Sequence, residues 1–149
     1  MGKPSRTAVA GQLREKRLNL KRCLDRIEET ERCSVADFPS PFDRGDVLDL
    51  NLLRACETVI DMANIAVAGL ALPPARSKAE AFEALRGKRV LDERQVRSMR
   101  GMARFRNVLV HQYTTVDPAI REAVLTGHLA DLEAVAGAIE RRFVVGDGQ

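Results

Sequence analysis

Apolar residues recur along this chain at three- and four-residue steps. No alternation of apolar and polar positions persists long enough to mark a strand, so the pattern predicts helices throughout. Leu13, Leu20, Leu24 and Ile27 form one stripe of a first helix running from about residue 8 to Arg32, with charged residues on its other faces. Pro39, Ser40, Pro41 and Gly45 break the pattern, so a loop from Cys33 to Arg44 is expected. The second helix, about Asp46 to Leu70, is apolar on nearly every side (Val47, Leu48, Leu50, Leu53, Cys56, Val59, Ile60, Ala63, Ile65, Ala66). Such a helix belongs in the middle of a bundle or between two subunits. Asp61 and Asn64 interrupt it on the face that also carries Glu57, either as satisfied core polar groups or as groups facing a site.

Leu72-Pro73-Pro74 ends that helix. Ser77 with Glu80 three residues on forms a capping-box pattern for a short third helix to Arg86, with Gly87 as its stop. A fourth helix spans about Asp92 to Tyr113, on which Met102, Phe105, Leu109 and Gln112 share a face. Asp117 and Pro118 are an N-cap and first-turn pair opening a fifth helix with the stripe Leu125, Leu129, Leu132, Ala136, Ile139 and Phe143. His128, one turn after Val124, is expected to be a partly buried structural histidine. The architecture implied is all-α: an up-and-down bundle of four to five helices forming one domain over residues 1–149, with residues 1–7 and 146–149 as disordered tails.

Composition narrows the picture. In 149 residues the hydrophobic fraction is 45% and the aromatic fraction 4%, with no Trp, which favours close-packed helices over a β-sandwich. The chain shows no run of about 18 apolar residues and no signal-peptide centre, so no membrane association is expected and the cytoplasm is the expected compartment. Cys23, Cys33 and Cys56 show no metal-ligand spacing and read as reduced thiols. The net charge of +3 is modest, but ten basic residues face four acidic ones between Arg76 and Arg106.

That positive stretch leads into Arg104-Phe105-Arg106-Asn107-Val108-Leu109-Val110-His111-Gln112-Tyr113, which holds one of two histidines and the only tyrosine. On a helix, Arg104, Asn107 and His111 fall on one line, and Arg106, Val110 and Tyr113 on a neighbouring one. Imidazole beside guanidinium groups, with no metal ligands and no nucleophilic Ser or Cys nearby, suits phosphodiester chemistry on RNA, which supplies its own 2′-hydroxyl nucleophile. One histidine cannot be both general acid and general base, a shortage that a two-fold dimer would remove. Taken on spacing alone, a helix with Arg, Asn and His is more often an ordinary arginine-rich face.

The run Arg106-x4-His111-x-Tyr113 resembles the Arg-x4-6-His ribonuclease motif of HEPN domains, in the form found in HepT-like toxins. Asp61-Met62-Ala63-Asn64-Ile65 is similar to the family's second-helix segment, Phe82-Glu83-Ala84-Leu85 to its short third helix, and Met99 to Met102 to its lead-in; the similarity covers about residues 46–134. The resemblance implies a metal-independent endoribonuclease toxin without a cofactor, with Arg106 and His111 as the catalytic pair in a cleft across a homodimer. It further implies that Tyr113 is AMPylated by a cognate MntA-like nucleotidyltransferase antitoxin, and it allows a larger hetero-oligomer of the two. Arg104 is expected to contact RNA backbone, Asn107 to orient His111, and Asp61 and Asn64 to face the cleft and steer Arg106. Gln112 stands where many relatives are expected to carry an acidic residue. The alternative is a non-catalytic HEPN module that binds RNA, nucleotide or a nucleotidyltransferase with the same arginines.

Overall fold

The computed structural model describes residues 3–111 and 116–144, and Gln112, Tyr113 and the tail 146–149 lie outside them. Among the described residues the fold is all-α, with no strand. Six α-helices follow in order: α1 (Arg6–Glu31), α2 (Asp43–Gly69), α3 (Lys78–Gly87), α4 (Glu93–His111), α5 (Pro118–Gly127) and α6 (Leu129–Val144). A 3-10 turn, Val35–Asp37, sits between α1 and α2.

The central element is α2, which packs against α1, α3, α4 and α6. It buries Leu48, Leu52, Ala55, Cys56, Val59, Met62, Ala63 and Ala66, but it is not buried all round, because Leu50 is 45% exposed and Arg54, Asp61 and Asn64 are exposed polar positions, while Asn51 and Thr58 are buried. Each buried polar side chain returns its proton to the carbonyl one turn back: Asn51 Nδ2 donates to the Val47 carbonyl at 2.9 Å and Thr58 Oγ1 to that of Arg54 at 2.7 Å. Asn19 Nδ2 of α1 then donates to Thr58 Oγ1 at 3.0 Å, so the polar positions also fix the α1–α2 register.

Helix ends are held by long-range arginine contacts. Arg6 Nε donates to the Phe143 carbonyl at 2.9 Å, closing the C-terminus of α6, and Arg44 Nε donates to the Cys33 carbonyl at 2.8 Å just beyond α1. At the start of α1, Ser5 accepts from the Ala8 N–H at 3.1 Å, so Arg6 and Thr7 are helical rather than part of a disordered tail.

Three further boundaries differ from those the pattern predicts. First, α2 starts at Asp43, not Asp46, and runs through Gly45. A Cβ there would stand 3.1 Å from Arg121 Nη2, so Gly45 lets Arg121 lie against α2 and grip Asp49 at 2.6 and 2.8 Å. Second, α3 runs through Gly87, and the left-handed residue after it is Arg89 (φ 59°). The Val90 N–H closes back on the Leu85 carbonyl at 2.9 Å, a Schellman-type end made without glycine.

Third, the expected fifth helix is two helices. His128 leaves the helical path with φ −129°, and α6 starts anew at Leu129. The apolar stripe passes through this break in phase, which hides it from periodicity. The break coincides with helix-weakening Gly127 and with the anchoring of α6 on α4, where Ser98 Oγ donates to Asp131 Oδ2 at 2.6 Å. His128 is therefore exposed, with Nδ1 3.6 Å from Asp131 Oδ2, and not partly buried as expected. No helix among the described residues is long and apolar enough to cross a membrane.

Candidate active site

The N-terminus of α4 is set by a reciprocal box: the Gln95 N–H donates to Asp92 Oδ1 at 2.8 Å and the Asp92 N–H to Gln95 Oε1 at 3.0 Å. Val96, Met99, Met102, Ala103 and Phe105 then bury one face against the bundle. This phase fixes where the polar groups of the last two turns point. Arg104, Asn107 and His111 are exposed, while Arg106 is half-buried and turned toward α2.

Arg106 is clamped. Its Nε donates to Glu57 Oε1 of α2 in an ion pair, and its Nη1 donates to Asn107 Oδ1 at 3.2 Å. A guanidinium held at Nε and Nη1 in this way keeps its remaining N–H groups in a fixed plane, where they can meet an oxyanion. Glu57 is the group the pattern did not single out as a partner: it was visible only as sharing a face with Asp61 and Asn64. Those two lie one and two turns further along and are exposed. Asp61 binds Lys16 of α1 at 3.1 Å, and Asn64 Nδ2 donates to the Ile60 carbonyl at 3.2 Å. The structure thus brings Arg106, Asn107 and Glu57 together, and it gives Asp61 and Asn64 other partners.

His111 is the last residue of α4 and stands exposed at its end. Five residues separate it from Arg106, a rise of about 7.5 Å and a rotation of roughly 140°. Within one copy the two side chains therefore leave α4 in different directions. The hydrogen bond of Asn107 runs to Arg106 and not to His111. Arg104 has no carboxylate within ion-pair distance among the described residues, whereas Arg100 pairs with Glu83 and Arg94 approaches Asp131 at 3.6 Å. Behind this face, burial pushes the Cys56 thiol up to about 12, with Glu57 adding to the shift and Arg106 opposing it. Among the described residues, no group of three or more His, Cys, Asp or Glu side chains is placed to hold a metal ion.

A family model described as Ribonuclease HepT-like matches residues 20–139, which include all of α2 to α5 and the Arg106 to His111 motif. The chain belongs to this family. Among similar proteins, the mRNA nuclease HepT of Shewanella oneidensis is 29% identical over 121 residues, covering 81% of this chain and 90% of that one. A solved structure of a tri-AMPylated Shewanella oneidensis HEPN toxin in complex with MNT antitoxin superposes with a TM-score of 0.77 at 28% identity, over 87% of this chain and 96% of that one. A toxin–antitoxin crystal structure with AMP-PNP gives a TM-score of 0.75 at 26% identity, over 86% and 97%. The bundle that carries Arg106 and His111 here is thus the HEPN bundle of these toxins.

Proposed function

We propose that this HepT-like chain is the toxin of a toxin–antitoxin pair, a metal-independent endoribonuclease acting in the cytoplasm. The observation that carries the reading is Arg106, clamped by Glu57 and Asn107 ahead of an exposed His111 in the Arg-x4-His-x-Tyr spacing. In the reaction, His111 removes the proton from a 2′-hydroxyl, and the 2′-oxygen attacks the adjacent phosphorus. The phosphorus–2′-oxygen bond forms as the phosphorus–5′-oxygen bond breaks, and a proton goes to the leaving 5′-oxygen. The products are a 2′,3′-cyclic phosphate and a 5′-hydroxyl. Arg106 binds the non-bridging oxygens as charge builds on them, which is where a fixed donor contributes most.

The divergence of Arg106 and His111 around α4 argues for a homodimer in which two α4 helices face each other. Each phosphate then meets the arginine of one copy and the histidine of the other, and the second histidine supplies the missing acid. Tyr113 follows His111 by two residues. AMP added there by a nucleotidyltransferase antitoxin places a phosphate and a base where substrate phosphate must enter, which closes the cleft. The tri-AMPylated state of the similar Shewanella oneidensis toxin supports this mode of control.

A second reading, a binding module without catalysis, is favoured by one feature: in the isolated chain Arg106 is already neutralised by Glu57. Induced expression separates the two. The toxin reading expects growth arrest by the wild type, relief in His111→Ala with the fold retained, and mass increases in AMP-sized steps on Tyr113 when an MntA-like partner is co-expressed. Growth arrest that survives His111→Ala contradicts it.

A further inference from the structure

Between the N-terminus of α3 and the exposed side of α4 runs an open groove of about 430 Å³. One wall carries Arg76 and Lys78, and the other carries Arg100, Arg104 and Asn107. On α4 these last three follow at four- and three-residue steps, and the next position on the same line is His111. The groove therefore ends at the side chain that holds Arg106 and points along α4 at the candidate general base. From Arg100 to His111 the line is about 16 Å long.

Of the four cations in the groove, Arg100 alone is paired, with Glu83. Among the described residues no carboxylate lies within ion-pair distance of the Arg76, Lys78 or Arg104 side chains. Glu83 is engaged by Arg100 and Arg86, and Glu80 on the rim accepts from the Arg76 backbone N–H at 2.8 Å. A row of cations with so little counter-charge is an unfavourable arrangement for the folded chain alone and a favourable one once polyanion phosphates neutralise it. Because the walls are basic and small rather than aromatic, the groove suits the phosphate backbone and not base stacking.

We infer that the α3–α4 groove is the track along which single-stranded RNA, on one side of the cleaved bond, lays its phosphates, with Arg76 and Lys78 as its outer contacts. This rests on the ribonuclease reading above. It adds residues outside the catalytic motif that set how tightly RNA is held without taking part in the chemistry.

The test is RNA binding by the full chain carrying His111→Ala, which holds RNA uncut, with and without Arg76→Ala plus Lys78→Ala. The probe is a short labelled single-stranded RNA titrated across salt concentrations. Two phosphate contacts on a single strand contribute about 1.4 to the slope of log affinity against log salt, which amounts to roughly tenfold in affinity near physiological salt. The expected result is that loss of slope and affinity, together with a raised KM and unchanged kcat when the pair is placed in the active chain. Arg14→Ala plus Arg141→Ala on α1 and α6 removes the same charge and is expected to leave binding as it was. Equal affinity and slope with and without Arg76→Ala and Lys78→Ala overturns the groove and leaves the ribonuclease reading standing. An equal loss in the α1 and α6 control also overturns it, since the effect is then net charge alone. Absence of both RNA binding and cleavage overturns the groove together with the reading it rests on.

Discussion

Replacing Glu57 separates what Arg106 does from what holds it there. Glu57 and Asn107 together fix the guanidinium, and Glu57 does so from a different helix. An unrestrained arginine side chain carries about 2 kcal/mol of rotamer entropy. If the clamp removes that freedom before substrate arrives, Glu57→Ala returns it, and a barrier higher by up to about 2 kcal/mol corresponds to roughly a thirtyfold fall in kcat. The same change strips a carboxylate from beside the substrate phosphate, so KM is expected to hold or fall. Glu57→Gln keeps an acceptor for Arg106 Nε and is expected to recover most of kcat. Stability should change little, by less than about 1 kcal/mol, because the Glu57 side chain is 39% exposed. The assay is steady-state cleavage of a short fluorogenic RNA, paired with thermal melting of each variant. An unchanged kcat in Glu57→Ala with a raised KM would refute the reasoning, since Glu57 would then be acting on binding and not on arginine placement.

Other positions report on the fold that carries the site. Asp49→Ala leaves Arg121 pressed against α2 without its bidentate partner; with the pair's side chains only 14% and 18% exposed, a loss of about 2–3 kcal/mol is expected from urea unfolding. Gly69→Ala puts a Cβ about 2.9 Å from Phe143 Cε1. Overpacking of roughly 1–3 kcal/mol should outweigh the gain in helix propensity, and Phe143→Leu should rescue part of it. The Cys56 thiol, raised to about 12 by burial, stays protonated when the unfolded thiol ionises above about pH 8.5. Between those values the unfolded state binds fewer protons, so stability falls as pH rises, by up to about 1.4 kcal/mol per pH unit. Cys56→Ala should flatten that slope, and native-state alkylation should label Cys33 before Cys23 or Cys56, which are buried.

The bundle was legible because most of the apolar stripe positions on α1, α2 and α4 are buried, Leu13, Leu20 and Ile27 on α1 among them, and because Ser77 and Asp117 cap the helices their spacing announces. What misled was local grammar overruled by tertiary contacts. Gly45 reads as a breaker but serves the approach of Arg121, and Arg89 takes the left-handed turn that Gly87 was expected to supply. The α5–α6 break was invisible because Leu125, Leu129 and Leu132 keep one phase across it. In the candidate site, the Arg106 to His111 motif is local and readable. Which of Glu57, Asp61 and Asn64 reaches it depends on how α2 and α4 cross, and sequence spacing does not carry that.

The central claim, that Arg106 and His111 cut RNA through its own 2′-hydroxyl, is tested most directly by the chemistry of the ends. A defined RNA is incubated with the purified chain in excess chelator, and the fragments are weighed. The account predicts 2′,3′-cyclic phosphate paired with 5′-hydroxyl ends from the wild type and no fragments from His111→Ala. Ends bearing a 3′-hydroxyl and a 5′-phosphate, or the same fragments from His111→Ala, would contradict it.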